Sequence, residues 1–361
     1  MNGWEAGVRK VVPYTPGEQP KNKNIIKLNT NENPYGPSNE ALKALEGMDM
    51  DEARRYPDPT ASELVKALAD YYSVDENQVF VGVGSDDVLG MCFMTFFNQT
   101  NERGERLPIL FPDITYSFYP VWADMLGIPY ETKALKDDFT IDAADYNGPN
   151  GGIVIPNPNA PTAIYMAKAF VEDIVKNNPS SIVIIDEAYI DFAPQGSSVI
   201  DLIDKYDNLI VVRTYSKSRS MAGLRIGYAI SNPKIIKFIN DVKYSYNSYT
   251  MNAPSIKLGA AVVKDEEYFR ETISKIVKTR EEFAEKIKGL GFTVLPSSAN
   301  FVFASPPEGY TAEELFEECK KRGIYVRYFK QPRINNFLRI TIGKEQDMRT
   351  VYEFFKDFLT R

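Results

Sequence analysis

The stretch SIVIIDEAY, residues 181–189, decides the fold. Its first half is a continuous apolar, largely β-branched run, and a carboxylate, Asp186, stands where the run ends. A strand with one wet face alternates apolar and polar residues, so an unbroken run predicts a strand covered on both faces, as in a mainly parallel α/β sheet. Outward from it, residues 79–81, 108–111, 153–155, 209–212 and 224–230 read as further strands of this kind. Helical stretches at 85–98, 116–126 and about 167–177 alternate with them. Each strand ends in a polar or glycine-rich cluster: GSDD, PDITY, PNPN, DEAY and TYSK. In open α/β sheets ligands bind at the carboxyl ends of the strands, where these clusters fall.

After about residue 250 the texture changes. A charged helix at 266–290 carries an apolar stripe of Phe269, Ile273, Ile276 and Phe283. Strands near 292–295 and 301–304, a helix at 312–322, strands at 324–327 and 337–342 and a terminal helix follow, which is α+β texture. The first residues, with Pro13, Pro16, Gly17 and Pro20, read as an extended arm. The expected divisions are an arm at 1–28 packing on the small domain or a partner subunit, a large domain at 29–250 and a small domain at 251–361.

The 361 residues are 43% hydrophobic and 25% charged, an ordinary globular composition, and the net charge of −7 argues against nucleic-acid or anionic-membrane partners. There is no apolar run long enough for a membrane span, and MNGWEAGVRK lacks the apolar core of a signal peptide. With only two cysteines, Cys92 and Cys319, no disulfide framework is expected, and the location predicted is cytoplasmic. The chain has no histidine. That excludes Ser-His-Asp and Cys-His machinery and every His-ligated metal site, and no metal is expected. Protons must move on Lys, Tyr, Asp, Glu or a cofactor.

The stretch TYSKSRSMAGLRIG, residues 214–227, suggests which cofactor. Most lysines are solvated side chains, but Lys217 stands beside the Ser216 hydroxyl, with Arg225, Gly223 and Gly227 following. An amine can condense with an aldehyde, and a hydroxyl, close-approach glycines and a planar guanidinium can hold a phosphate. Pyridoxal phosphate, a phosphorylated aldehyde, needs both. Its ring nitrogen requires a carboxylate, for which Asp186 is the candidate; the plainer reading is an acid that ends a strand and caps a turn. Tyr189 and Asn157, the latter in PNPNAPT, are candidates for the ring's 3-oxygen. In VGVGSDD a strand, a glycine turn and a helix start follow one another, so the backbone amides of Ser85 and Asp86 would face an anion. The stretch lacks the third glycine of a dinucleotide fingerprint. Tyr116 in PDITYSFY could stack on the ring.

Taken together, VVPYTPGE, IKLNTNENPYGPS, YPDPTASEL, VGVGSDD, PDITYSFY, PNPNAPT, DEAYIDF, TYSKSRSMAGLRIGY, SSANFVFA and FLRITIG resemble, in order and over nearly the whole chain, the fold-type I pyridoxal-phosphate enzymes. Within these the chain is similar to the histidinol-phosphate aminotransferase family. The resemblance implies transamination between L-histidinol phosphate and 2-oxoglutarate in histidine biosynthesis. It implies Lys217 as the Schiff-base lysine, Asp186 at the ring nitrogen, Asn157 and Tyr189 at the 3-oxygen and Tyr116 over the ring. Ser85, Asp86, Ser216 and Arg225 are implied at the phosphate, which Tyr56 in RRYPDP would reach from the neighbouring subunit of a homodimer. Arg339, Arg327 and Tyr14 are implied on the substrate side. Where this chain reads NAPTA the family commonly reads Asn-Asn-Pro-Thr-Gly, so Ala160 and Ala163 alter that loop. The filler in SKSRSMAGLR is also more polar than usual. The alternatives are an aromatic amino-acid aminotransferase, a threonine-phosphate decarboxylase-like enzyme, and a non-catalytic ligand sensor on the same fold.

Overall fold

The computed structural model describes residues 3–21 and 24–360; the rest of the expected arm (residues 1, 2, 22 and 23) and residue 361 lie outside the described residues. Its centre is a seven-stranded sheet. In chain order the strands are β1 (Val79–Gly82), β2 (Ile109–Pro112), β3 (Tyr130–Lys133), β4 (Gly152–Pro156), β5 (Val183–Asp186), β6 (Leu209–Thr214) and β7 (Gly227–Ser231). Across the sheet they lie in the order β1-β7-β6-β5-β4-β2-β3. Only β7 runs against its neighbours β1 and β6. The others point one way, so their carboxyl ends, and the start of β7, share one edge.

The period of two sorts the buried runs onto two faces. Val183 and Ile185 of β5 join one hydrophobic cluster with Val81, Ile155 and Val211, whereas Ile184 joins another with Phe80, Val154 and Val212. Helices cover both faces, which is why the runs do not alternate. The edge strand β3 (YETK) faces mostly solvent, so it carries no apolar run from which to read it.

At the functional edge, Gly227 pairs with both Gly82 and Thr214. A Cβ on Gly227 would lie 2.2 Å from the Gly84 carbonyl carbon and 2.3 Å from the Ser85 nitrogen. Only glycine lets β7 start so close to the turn that leads into the helix Ser85–Phe96.

The smaller unit is a four-stranded antiparallel sheet of Arg327–Tyr328, Leu338–Thr341, Phe301–Ser305 and Thr293–Val294. Its cluster takes Ile276 and Phe283 from the helix Glu266–Lys288 and Phe355 from Glu345–Leu359. The helix Glu266–Lys288 begins where Asp265 accepts from the Tyr268 N–H at 3.2 Å, with Glu266 and Glu267 in its first turn and Lys286 and Lys288 in its last. Phe269 of the expected stripe carries the Arg219 guanidinium 3.6 Å from its ring centre. The single strand expected at 324–327 is two: Ile324–Tyr325 pairs in parallel with Ile26–Lys27, while Arg327–Tyr328 joins the four-stranded sheet. Residues 26–27, at the end of the arm, are thus hydrogen-bonded to the smaller unit. The helix Ala253–Val262, beyond the division expected at residue 250, packs Ile256, Leu258 and Val262 into the cluster of the large sheet. Among the described residues no helix is long and apolar enough to cross a membrane.

Candidate active site

The carboxyl ends of the parallel strands surround a cavity of about 350 Å³ lined by Lys217, Asp186, Tyr189, Ser85 and Arg225, among others. A second cavity, of about 140 Å³, adjoins it and is lined by Arg327, Arg339 and Tyr14. Thr30, Tyr116, Ala160, Tyr189 and Lys217 border both.

Lys217 follows β6, and its amine donates to the Thr30 carbonyl at 3.1 Å. The turn that carries it is gripped from the same side, since the Asn33 side chain donates to the carbonyls of Lys217 and Ser218 at 3.0 and 3.2 Å. Ser216 lies in a small hydroxyl pair with Thr214 at 2.9 Å.

Asp186, at the end of β5, is 5% exposed. It accepts from the Tyr119 hydroxyl at 3.0 Å and from the Ala188 N–H at 3.1 Å. Burial outweighs those two bonds and pushes its carboxyl up to about 6. A carboxylate placed this way gains from a cation beside it, and a protonated ring nitrogen is such a cation.

The anion cradle is built from three elements. The Ser85 and Asp86 amides precede the first helical bond, from the Val88 N–H to the Gly84 carbonyl at 3.3 Å, so they are directed outward. Arg225, in the left-handed region at φ 52°, spans from the Asp86 carboxylate at 3.2 Å to the Ser216 hydroxyl at 3.5 Å. Gly84 leaves room for that guanidinium, because a Cβ there would lie 2.5 Å from Nη2. These residues fit a pyridoxal phosphate group: an amine, a carboxylate calling for a cation, and an anion cradle meet in one cavity.

Tyr116 donates to the Asp86 carboxylate at 2.8 Å, and burial followed by the nearby carboxylate raises its phenol. Tyr189 packs edge-on against Phe301, with ring centres 5.2 Å apart, and lies 5.9 Å from the Lys217 amine. Asn157 is buried, and its amide both donates to and accepts from the Met166 backbone, at 2.9 and 2.8 Å. One N–H of that amide remains for another partner. In the adjoining cavity Arg339 donates to the Asn29 carbonyl at 2.9 Å, and its Nε is buried with no hydrogen-bond partner among the described residues. Burial holds its guanidinium below the usual range. Arg327 stands over Phe329 at 5.6 Å. Tyr14 stacks on Phe118, with ring centres 4.4 Å apart. Tyr56 is not brought in: it is 82% exposed, stacks on Tyr249, and lines neither cavity. Ala160 borders both cavities, and Ala163 sits at φ 66°, the region a glycine enters freely.

Sequence reasoning missed Tyr119, Thr30, Asn31, Glu32 and Asn33. Glu32 lines the larger cavity and pairs with Lys27. Burial alone would raise its carboxyl, but the bonds from Lys27 and Thr30 bring it below the usual range. The available signal was NTNEN itself: crowded polar side chains in a stretch with neither strand nor helix periodicity.

A fold with this strand order and an amine, carboxylate and anion cradle at its functional edge defines an aminotransferase-like class. Accordingly, the family model for class I and II aminotransferases matches residues 23–355, and the chain belongs to that family. Within it the chain falls among the histidinol-phosphate aminotransferases. It is 49% identical to the enzyme of that name from Brachyspira hyodysenteriae, over 96% of each chain, and 49% identical to that of Pseudomonas putida, over 94% of this chain and 95% of the other. The solved histidinol-phosphate aminotransferase of Sinorhizobium meliloti, in complex with pyridoxal-5'-phosphate, shares the fold with a TM-score of 0.83 and 22% identity, covering 93% of this chain and 91% of that one.

Proposed function

We propose that the protein is a pyridoxal 5'-phosphate-dependent transaminase that takes the amino group of L-histidinol phosphate and passes it to 2-oxoglutarate, giving imidazole-acetol phosphate and L-glutamate in histidine biosynthesis. The observation that carries this reading is the convergence of Lys217, Asp186 and the Arg225 cradle on one cavity, next to a second that holds Arg327 and Arg339. When bound, the cofactor supplies an aldehyde for the substrate amine and a cationic ring that accepts the electron pair left by the departing Cα proton.

The chain's own residues do the rest. Lys217 would hold the cofactor through its amine and, as a free amine, would move the proton to and from the substrate carbon. Asp186 holds the proton on the ring nitrogen. Ser216, Arg225 and the amides of Ser85 and Asp86 hold the phosphate, Asn157 and Tyr189 serve the 3-oxygen, and Tyr116 covers the ring. Arg327 and Arg339 bind the substrate's phosphate, since two guanidiniums suit a dianion better than one carboxylate. Tyr14, seated on Phe118, closes the substrate side.

The protein acts as a cytoplasmic homodimer in this reading, and Tyr56 reaches the cofactor phosphate of the other subunit. In support, Tyr56 is exposed and stacks on Tyr249 at 4.6 Å, away from the cavity of its own chain. Sedimentation at the monomer mass would overturn the dimer.

The test of substrate is kcat/KM for histidinol phosphate, phenylalanine and threonine phosphate on the cofactor-loaded protein. A preference for phenylalanine, or decarboxylation of threonine phosphate, would replace this reading. Cofactor binding without turnover of any of the three would make the protein a ligand sensor.

A further inference from the structure

Asn31 lies between the strand Ile26–Lys27 and the helix Asn39–Glu46, in a stretch without regular structure, yet only 1% of it is exposed. Its backbone is left-handed at φ 58°, a conformation that asparagine tolerates better than most residues. Each of its polar groups has a partner. The backbone N–H donates to the Thr341 hydroxyl at 3.0 Å, and the carbonyl accepts from the Asn300 amide at 2.9 Å. The side-chain oxygen accepts from the Thr341 hydroxyl at 3.0 Å, and the side-chain nitrogen donates to the Tyr189 hydroxyl at 2.9 Å.

This closed set fixes the direction of every bond. The Thr341 hydroxyl is buried, and among the described residues its hydrogen finds an acceptor only at Asn31 Oδ1; a turned amide would leave that hydrogen unpaired. The other end of the amide, facing Tyr189, is therefore the NH2 group. Tyr189 must accept there, which leaves its phenol hydrogen for a different acceptor. The bond from Asn31 is the only one to that hydroxyl among the described residues. An oxygen that accepts one hydrogen bond donates its own more strongly. The charged and titratable groups around Tyr189 include Lys217, Arg339, Tyr116 and Tyr119, and Asp186, Tyr14 and Arg327 share its cavities.

We propose that Asn31 is a positioning residue that sets Tyr189 as a hydrogen-bond donor toward the cofactor's 3-oxygen. The inference rests on the place given above to Tyr189 at the pyridoxal phosphate. Asn31 borders the smaller cavity, but its side chain is taken up by Thr341 and Tyr189, so it acts through the phenol. A donor at the 3-oxygen stabilises its anionic form and so lowers the pH at which the visible band of the cofactor-loaded protein titrates. Asn31→Asp reverses the bond, since a carboxylate only accepts and takes the phenol hydrogen for itself. Asn31→Gly deletes the bond while keeping the left-handed backbone.

The test is the spectrophotometric pH titration of the cofactor-loaded protein and of the variants Asn31→Asp, Asn31→Gly and Tyr189→Phe. Asn31→Asp raises the midpoint by about one unit, a tenfold change in the proton-binding constant. Asn31→Gly raises it by less, and neither substitution adds a shift in the Tyr189→Phe background. Midpoints unchanged in the variants that fold, or a shift that persists in full without the Tyr189 hydroxyl, would overturn the proposal. Should Asn31→Asp not fold, Asn31→Gly alone decides between these outcomes. A visible band missing from the unsubstituted protein supplied with pyridoxal phosphate would overturn the site reading as well.

Discussion

Asp186 and Glu187 are consecutive carboxylates at the end of β5, both buried, and they face opposite sides of the sheet. Glu187 points into the cluster below Tyr72 and is fully provided for. It accepts from Arg213 at 3.0 Å, from the Ser198 hydroxyl at 2.7 Å and from the Val199 N–H at 2.7 Å. Asp186 points into the cavity with two neutral donors and, among the described residues, no cation bonded to it. Burial raises both carboxyls, but Arg213 works against the rise at Glu187, whereas at Asp186 only hydrogen bonds do. The pair teaches how to tell a structural charge from a functional one. The structural charge has its counter-ion inside the fold, and the functional charge is left to find it in a ligand.

The largest effect lies on the cavity face. Lys217→Ala removes the visible band and all measurable transamination, and borohydride no longer fixes the cofactor to the peptide containing residue 217. Asp186→Asn follows, since asparagine can keep the Tyr119 contact but cannot hold a cation. Its kcat falls by on the order of 10²–10³, the size of losing one preorganised electrostatic contact. Glu187→Gln breaks the comparison the other way: it leaves the buried Arg213 with Asp191, 3.3 Å away, as its remaining carboxylate and lowers stability by about 2 kcal/mol, read by urea unfolding. A kinetic loss as large as that of Asp186→Asn, with stability intact, would erase the distinction.

The pH dependence sharpens it further. Burial lifts the folded-state value of Asp186 to about 6, above the ordinary aspartate value of about 3.9, so its stabilising contribution is whole below pH 4 and is lost as pH rises to about 6. Cofactor-free wild type should therefore lose about 3 kcal/mol relative to Asp186→Asn between pH 4 and 6, and stay level above that. Denaturant midpoints of the two proteins measured across that range check it. The smallest effect belongs to Tyr119→Phe, which removes one hydrogen bond to the Asp186 carboxylate, of about 1.5 kcal/mol, and slows turnover only several-fold.

How much of this was legible depended on the range of the interactions involved. Asp186, Lys217 and Ser85 could be read because each stands directly after a buried run or a glycine turn, where local pattern and function coincide. The direction of β7 could not, since an apolar run looks the same whichever way it runs. The split at Val326 was hidden for a similar reason: residues 324–328, IYVRY, form one run rich in β-branched and aromatic residues, but its two halves pair with different partners. Asn31, Thr30 and Tyr119 act through contacts with residues far away in the chain, so no spacing announces them. Arg339, Arg327, Tyr14 and Tyr56 came only from the resemblance to a family, because an isolated arginine or tyrosine carries no local signature of a substrate. The two alanines of NAPTA are still without a consequence for substrate choice.

The parallel pair formed by Ile26–Lys27 and Ile324–Tyr325 has a mechanical consequence. A few residues beyond it the same strand of chain holds the Lys217 amine at Thr30 and the lysine's turn at Asn33. The reactive nitrogen is thereby moored to the smaller unit by a short tether, although it grows from the larger one. A rotation of one body against the other would strain the bonds at Thr30 and Asn33 that hold the lysine and its turn.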